Sequence, residues 1–192
     1  MMRELADNIL DIAQNSIAAG ASLVEIDIVV SHAQDTVSLA FIDNGCGMSE
    51  DMVRAVCDPF TTTRKTRKVG LGLPLLKMTA QATGGEMSIA SKMGEGTTVR
   101  VSFGLSHIDR PPMGDVPGVL HTLVLMNPQT DFRFAFDYDG KTFVLDTREI
   151  REAVAPIPLD HPEIRTKSIV SSSYVMWYNA VGTCTEIGRA HV

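Results

Sequence analysis

The sequence predicts an α/β fold in two layers, a mixed sheet with helices on one face, and three observations lead to it. First, apolar residues recur at helical spacing from Leu5 through Ile9 to Ile12, so an amphipathic helix opens the chain. Second, residues 21–30 and 36–42 alternate apolar and polar side chains, as half-buried strands do. Third, glycine pairs separate these segments from a further helix and two further strands.

Composition limits the classes of function. The chain has 192 residues, of which 44% are hydrophobic and 21% charged, and its net charge is −6, values that fit a soluble globular protein and not a general nucleic-acid binder. It has no apolar run of about 20 residues and no basic start followed by an apolar segment. Three cysteines without CxxC spacing (Cys46, Cys57, Cys184) fit a reducing compartment. We therefore expect a cytoplasmic protein whose partners include neither nucleic acid nor membrane.

The predicted first helix runs from about residue 3 to residue 19 and ends at Gly20. Asp11 and Asn15 are four residues apart on it, so their side chains project from one patch. A carboxylate beside a carboxamide can hold a hydrated divalent cation and orient a water molecule. A solvated helix face is the alternative interpretation of the same two residues.

A loop with two glycines, Asp43 to Met48, follows the second predicted strand. An acid followed by Gly45 and Gly47 permits the backbone to come close to a flat ligand, although the same residues also form an ordinary turn. A short helix with Ser49 as its N-cap comes next, and residues 58–60 end it.

Residues 61–68 form a polar, basic loop with almost nothing to bury. Its cations are either a solvated surface run or a lid over an anion: Arg64, Lys65, Arg67 and Lys68. Gly70 and Gly72 then open a helix whose free N–H groups and dipole favour phosphate, a simple turn being the alternative. Two further strands flank a tight turn at residues 94–97.

In order and spacing, these segments resemble the ATP-binding domain shared by gyrase, heat-shock chaperones, histidine kinases and mismatch-repair ATPases, which has the Bergerat fold. The resemblance covers about residues 3–103 and rests on five motifs: Asp11-Ile-Ala-Gln-Asn15-Ser-Ile-Ala-Ala-Gly20-Ala, Asp43-Asn-Gly45-Cys-Gly47-Met, Asp58-Pro-Phe60-Thr-Thr-Thr-Arg64, Gly70-Leu-Gly72-Leu and Gly94-Glu-Gly96-Thr97. From Asp43 to Phe103 the chain is most similar to histidine kinases, whereas the end of its first helix is more similar to mismatch-repair ATPases.

The resemblance implies a role for each matching residue. Asp43 would accept a hydrogen bond from the adenine amino group, in part through a water that Thr97 also holds. Asn15 would ligate Mg²⁺ between the phosphates, and Arg64 or Lys65 would add positive charge from the lid. The implied ATP-binding residues are Asn15, Asp43, Gly45, Gly47, Met48, Phe60, Arg64, Lys65, Gly70, Leu71, Gly72, Leu73 and Thr97.

Two of the glycine motifs have main-chain roles in this resemblance. Gly45 and Gly47 would let the chain pass under the base. Residues 70–72 would offer N–H groups to phosphate.

Asp11 departs from the family pattern, because many members carry at this position the glutamate that activates the attacking group. Aspartate is one methylene shorter, so its reach falls by about 1.5 Å, which weighs against fast hydrolysis. Histidine kinases often carry no acid there, so Asp11 remains compatible with phosphotransfer.

A histidine kinase also needs a helical hairpin that presents a phospho-accepting histidine, normally ahead of this domain. The first motif begins almost at Met1, and no histidine of the chain lies in such a context: His32, His107, His121, His161 and His191. We interpret them as surface or core residues and expect a free-standing ATP-binding unit.

A hairpin around Asp139-Gly140, with a helix before it and a short helix after it, is the clearest feature of the C-terminal part. Three phenylalanines of its first strand share one face, which is either core or a docking face: Phe132, Phe134 and Phe136.

The predicted domain boundaries follow from these segments. Residues 1–104 are the ATP-binding domain, 105–114 a linker and 115–165 a small α+β appendage. Residues 166–192 are left unassigned, and 186–192 are set aside because they resemble a translated sequencing adapter.

The sequence therefore predicts a Mg·ATP-binding protein of the histidine-kinase-like ATPase family that transfers the γ-phosphoryl group to a side chain of a partner protein. Two alternatives stay open: an ATP-hydrolysing conformational switch, and a nucleotide-sensing module without turnover. The expected cofactors are ATP and Mg²⁺, with Asn15 as the metal ligand and Asp11 as the catalytic residue. A homodimer is allowed, and the sequence does not specify the phospho-acceptor.

Overall fold

The computed structural model describes residues 4–57 and 72–156. These ranges contain five helices and six strands, and the α/β fold class is confirmed. The helices are α1 (Leu5–Ala18), α2 (Glu50–Cys57), α3 (Gly72–Ala82), α4 (Val116–Met126) and α5 (Thr147–Val154). The strands are β1 (Leu23–Ser31), β2 (Thr36–Asp43), β3 (Met87–Lys92), β4 (Gly96–Gly104), β5 (Asp131–Tyr138) and β6 (Lys141–Asp146).

The six strands form one mixed sheet in the order β3-β4-β2-β1-β5-β6. Neighbouring strands are antiparallel except β1 and β5, which are parallel. The segment with α4 follows β4 in the chain and carries the crossover that brings β5 beside β1. In this pairing Ile26 lies opposite Phe134, so the predicted hairpin contributes two strands to this sheet. The boundaries at 104, 114 and 165 stay a prediction.

One face of the sheet is apolar and covered by helices, because side chains alternate between the two faces of a strand. On β1, Val24, Ile26 and Ile28 are buried, whereas Glu25 and Asp27 point to the other face. The three phenylalanines of β5 belong to the same core, as the core interpretation expected. All the helices of the described ranges are too short or too polar to span a bilayer.

Helix α1 lies against β1, β2, α3 and α4, with Leu5, Ile9 and Ile12 buried. Its first N–H groups have no partner inside the helix, and those of Leu5 and Ala6 donate to the carbonyl oxygens of Pro112 and Met113, each at 2.9 Å. The predicted linker is therefore packed against the start of α1, which it orients.

We expect Phe134→Ala to destabilise the whole described fold, not only the hairpin. Phe134 is 2% exposed and its strand pairs with β1, so the lost contacts should lower the free energy of unfolding by about 3–5 kcal/mol in a single transition. Val144→Ala on β6, where the side chain is 52% exposed, serves as the control and should change it by less than about 1 kcal/mol. Urea unfolding monitored by circular dichroism checks this, and two separate transitions would instead support an independent appendage.

Candidate functional site

A cavity of about 240 Å³ lies between the C-terminal half of α1 and the ends of β2 and β4. The described residues that line it are Ile12, Asn15, Ser16, Ala19, Asp43, Cys46, Gly47, Met48, Met52, Val56, Leu73, Thr97 and Val99. Six of them belong to the set predicted from the sequence: Asn15, Asp43, Gly47, Met48, Leu73 and Thr97. The fold thus brings together side chains that are up to 82 positions apart in the chain, from Asn15 to Thr97.

Main-chain hydrogen bonds hold the loop of residues 43–48 on both sides. The Cys46 N–H donates to the carbonyl oxygen of Ala19 at the end of α1 (2.9 Å), and the Cys46 carbonyl accepts from Gly94 N–H (2.8 Å). The side chain of Asn44 anchors the loop to the start of β1, where its Oδ1 accepts from the N–H groups of Ser22 and Leu23. The loop is therefore fixed between α1 and the turn that joins β3 to β4.

Two glycines make this close approach possible. Gly47 has a φ of +64°, and a Cβ there would lie 2.0 Å from the carbonyl oxygen of Lys92. Gly96 has a φ of +105°, and a Cβ there would lie 1.9 Å from the carbonyl oxygen of Asp43. Any side chain would separate the loop from the β3–β4 turn, so the glycines serve contact between main chains.

Asp43 has its carboxylate oriented by two donors. Its Oδ1 accepts from Gly45 N–H at 2.9 Å, and its Oδ2 accepts from the hydroxyl of Ser16 at 2.7 Å. Ser16 is buried on α1, so the bond ties the helix to the end of β2. Each carboxylate oxygen keeps a further lone pair, so Asp43 can accept a hydrogen bond from a ligand in the cavity.

Ser91 on β3 connects the two glycine loops. Its Oγ accepts from the Met48 N–H at 2.8 Å and donates to the Gly96 carbonyl oxygen at 2.9 Å. The hydroxyl oxygens of Ser91 and Thr97 are also 2.9 Å apart. Thr97 lies opposite Asp43 in the pairing of β2 with β4, so both polar side chains stand at the same end of the sheet.

The α1 side of the cavity carries Asn15, which is exposed, and one turn earlier lies Asp11. Asp11 is half-buried and is not among the described lining residues. Its partial burial raises the pKa of the Asp11 carboxyl above the ordinary value, because desolvation disfavours the charged form.

The remaining lining is mostly apolar and comes from α1, α2, α3 and β4.

Part of the predicted set falls elsewhere. Phe60, Arg64, Lys65, Gly70 and Leu71 lie outside the described residues. Gly45 touches Asp43 through its N–H, and Gly72 begins α3 next to Leu73.

Ser16 and Ser91 were not predicted from the sequence, although each is in direct hydrogen-bond contact with predicted residues. Ser16 directly follows Asn15 on the helix, and this position next to a predicted site residue is a local signal that could have indicated its role. Ser91 carries no such signal, because Met48 is 43 positions away from it and the contact depends on how the loops pack.

Comparison with known proteins identifies the family. The sequence profile described as "Histidine kinase-, DNA gyrase B-, and HSP90-like ATPase" matches residues 1–107, more than half of the chain. The chain belongs to this ATPase family. Its matched residues are an ATP-binding, histidine-kinase-like ATPase domain, and they include every cavity-lining residue named above.

Several curated relatives of the ATPase family are sensor proteins. A putative sensor protein of Shewanella frigidimarina is 31% identical over 109 residues, which cover 56% of this chain and 17% of the relative. The C4-dicarboxylate transport sensor protein DctB of Pseudomonas aeruginosa is 33% identical over 101 residues, which cover 52% of this chain and 16% of the relative. The chain thus spans about one sixth of the length of these relatives.

Solved structures support the fold. The N-terminal domain of a DNA repair protein aligns with a TM-score of 0.53 at 17% identity and covers 76% of this chain and 53% of that one. The MutL ATPase domain of Aquifex aeolicus complexed with ADP aligns with a TM-score of 0.50 at 17% identity and covers 76% of this chain and 64% of that one. Because each alignment extends beyond half of this chain, the likeness includes part of the C-terminal region.

We expect Gly47→Ala to destabilise the ATP-binding domain by more than the backbone strain of replacing a glycine at positive φ. The left-handed backbone costs any alanine about 1–2 kcal/mol, and at Gly47 the Cβ also meets the Lys92 carbonyl oxygen. We expect a total loss of about 3 kcal/mol in the free energy of unfolding and at least tenfold weaker ATP binding.

Gly84→Ala is the matched control for this prediction. Gly84 has a φ of +78° and open space where its Cβ would stand, so it carries the backbone strain without the clash. Thermal unfolding and calorimetry compare the two variants, and equal losses would contradict the role assigned to loop contact.

Asp11→Asn should stabilise the protein in a pH-dependent manner. Because burial raises the pKa of folded Asp11, the folded state binds its proton more tightly than the unfolded state, and stability falls as pH rises from below about 4 through the folded pKa. Asparagine avoids this loss, so the variant should have the higher Tm at pH 7 and the same Tm as wild type near pH 3.

Asp51→Asn on α2 is the control, because it removes a negative charge from a side chain that is 96% exposed and therefore not desolvated. Calorimetry at the two pH values measures both variants. A Tm difference for Asp11→Asn that does not change with pH would refute the effect of burial.

Proposed function

We propose that this domain binds Mg·ATP in the cavity beside α1 and transfers the γ-phosphoryl group to a side chain of a partner protein. The observation that carries the proposal is the arrangement of Asp43. Its carboxylate is fixed as an acceptor by Ser16 and Gly45 and lines the same cavity as Asn15. The wall at Asp43 thus suits a base that carries an amino group, and the wall at Asn15 suits a hydrated cation.

The base would bind against Asp43 and Thr97. The cavity wall contains Ile12, Val99 and Met48, whose apolar surfaces suit a flat aromatic ring. A carboxylate that accepts hydrogen bonds at the edge of such an apolar wall selects a ring that carries an N–H donor there. Adenine has this combination of an apolar face and an exocyclic amino group.

The phosphates would be directed toward Asn15 and the beginning of α3. Gly72 starts α3, and the first N–H groups of a helix favour anions. In residues 4–57 and 72–156, no three His, Cys, Asp or Glu side chains are grouped so that they could hold a metal ion by themselves. We therefore assign Mg²⁺ to the carboxamide of Asn15 together with phosphate oxygens and water, the oxygen ligands that this ion prefers.

The roles of the lid residues rest on the sequence alone. We propose that Arg64 and Lys65 add positive charge, that Phe60 contributes to ATP binding, and that Gly70 and Leu71 offer main-chain N–H groups. Because the phosphates are anionic, a basic segment between α2 and α3 suits their side of the cavity.

Asp11 is assigned to the chemical step. Bound Mg·ATP supplies an activated γ-phosphoryl group, and the protein's part is to position it and neutralise charge. Asp11 lies one turn before Asn15 on α1, and burial raises the pKa of its carboxyl, which makes it a better proton acceptor than an exposed aspartate. In this role it would orient the attacking group through a water, given its short side chain.

Phosphotransfer is preferred to the two alternatives because of the relatives. Sensor proteins and sensor histidine kinases are among the curated proteins that match the domain. A conformational switch driven by hydrolysis and a sensing module without turnover remain the competing functions. We further propose a cytoplasmic location, a protein partner that carries the phospho-acceptor, and a homodimer as one assembly to test.

The purified protein incubated with γ-labelled ATP, alone and with a bacterial cell extract, separates these functions. We expect label on a protein. Free phosphate alone would support the switch, and neither product, with nucleotide still bound, would support the sensing module. The absence of any Mg²⁺-dependent ATP binding would contradict the proposal as a whole.

Two variants accompany this experiment. Asn15→Ala should reduce the effect of Mg²⁺ on ATP affinity at least about tenfold, since it removes the proposed metal ligand. Gln14→Ala changes the neighbouring exposed residue, which is not a lining residue of the cavity, and should retain wild-type affinity. Calorimetry with and without Mg²⁺ measures both, and equal behaviour of the two variants would remove the metal assignment.

A further inference from the structure

The sheet has a second face, opposite the one that the helices cover. Helices α1, α3, α4 and α5 place apolar side chains in or against the core on the first face, and α2 lines the cavity beside α1. On the second face Val29 and Val144 are 42% and 52% exposed, and a shallow depression of about 310 Å³ extends over β1, β2, β3 and β4. In residues 4–57 and 72–156 this face is therefore open to a partner.

The strand register arranges the side chains of this second face in rows, because paired residues of neighbouring strands point to the same side of the sheet. From β3 to β6, one row consists of Ser88, Arg100, Ala40, Asp27, Ala135 and Val144. Arg100 and Asp27 each lie one strand away from Ala40, which is a spacing of about 4.8 Å. Opposite charges thus lie symmetrically on the two sides of β2.

Neither of these two charges is fully compensated within the described chain. Arg133 lies 3.2 Å from Asp27 and 3.3 Å from Glu25, so two carboxylates share one guanidinium group and the β1 side stays negative. Arg100 is exposed, and the ion pairs found in residues 4–57 and 72–156 do not include it. The second face therefore has a positive side at β4 and a negative side at β1.

We infer that this face is the contact surface between two copies of the chain, related by a two-fold axis that runs between the two sheets along β2. Rotation by 180° about this axis places the β4 side of one protomer against the β1 side of its partner. Arg100 of each protomer then faces Asp27 of the other, so one surface supplies both members of two ion pairs. Stacked sheets are about 10 Å apart, a distance that an arginine and an aspartate span together.

A second copy fits the centre and the size of this face. On β2 the two-fold axis passes over Ser38, Ala40 and Ile42, which are partly buried and carry no charge. Five strands, β3 to β5 in the sheet order, overlap in this arrangement. At about 4.8 Å per strand and about eight residues of 3.3 Å each, they present on the order of 600 Å² per protomer. A standard interface buries about 800 Å² on each partner, so we expect a dimer of moderate affinity that depends on concentration.

The same arrangement places two like charges near each other at its corners. Glu86 pairs with Ser102 at the β3 end of the next row, and Asp137 occupies the β5 position of that row. Each lies two strands from the axis, so Glu86 of one protomer comes near Asp137 of the other. Repulsion between these exposed groups opposes dimerisation and is screened by salt.

Two charge reversals, Arg100→Asp and Asp27→Arg, test the pairing in the full chain. Each variant alone places like charges opposite each other twice, so its dimer should be at least about tenfold weaker in analytical ultracentrifugation. Mixed in equal amounts, the two variants should form a heterodimer with about wild-type affinity, because both ion pairs then have opposite charges again. Arg100→Asp changes an exposed residue, so it tests the contact even where Asp27→Arg, which also removes the bond to Arg133, does not fold.

Asp137→Asn should act in the opposite direction. Asparagine keeps an acceptor for the Gly140 N–H, which lies 2.9 Å from the Asp137 carboxylate, and removes the corner charge. The dimer should therefore become a few-fold tighter at low salt, and the gain should fade as salt is added. Asp51→Asn on α2 removes an exposed negative charge away from this face and should leave dimerisation unchanged.

The outcomes separate this inference from the proposed function, because the nucleotide cavity lies on the helix-covered side of the sheet. A wild-type chain that stays monomeric up to about 1 mM would overturn the inference and leave the face to another protein or another segment. A dimer that Arg100→Asp does not weaken, or folded reversal variants that do not associate when mixed, would overturn it as well. A dimer that binds no nucleotide would overturn the proposed function alone.

Discussion

The site depends on two main-chain hydrogen bonds that fix residues 43–48 between α1 and the β3–β4 turn. Cys46 makes both of them, since its N–H donates to the Ala19 carbonyl oxygen and its own carbonyl oxygen accepts from the Gly94 N–H. Because these bonds join backbone atoms, the two main chains have to approach closely, which Gly47 and Gly96 permit. The loop of residues 43–48 thus holds α1 and the β3–β4 turn together, and side chains from these distant parts of the chain line a single cavity.

Polar side chains at this cavity are oriented by neighbours before any ligand binds. Ser16 and Gly45 fix the carboxylate of Asp43, and the hydroxyl of Ser91 lies 2.9 Å from the hydroxyl of Thr97. Groups that are already oriented lose little freedom when a ligand arrives, so more of the interaction energy appears as affinity.

Local sequence patterns were sufficient to predict the helices and strands and part of the site. The alternation in β1 and the helical spacing of Leu5 and Ile9 predicted both layers, because these patterns reflect which side of an element is buried. Asp43 and Gly47 were predicted because an acid and glycines at the end of a strand lie next to one another in the chain.

Contacts between distant segments could not be read in this way. The position of β5 beside β1 depends on which strand edge remains free, and an alternating pattern specifies a strand without specifying its neighbour. The same limit applies to Ser91, whose serine side chain is unremarkable until the register of β3 with β4 puts it next to Thr97. In both cases the sequence pattern indicates the type of element and leaves its pairing unspecified.

The parallel pairing of β1 with β5 also has a consequence during synthesis. Glu25 and its ion-pair partner Arg133 are 108 positions apart, so the ribosome must add most of the described chain before the middle of the sheet is complete. At typical elongation rates this interval is on the order of seconds, and β1 is an edge strand throughout it. Charged side chains on an edge discourage pairing with other nascent chains, and Glu25 and Asp27 stand on β1 in that position until Arg133 forms ion pairs with them.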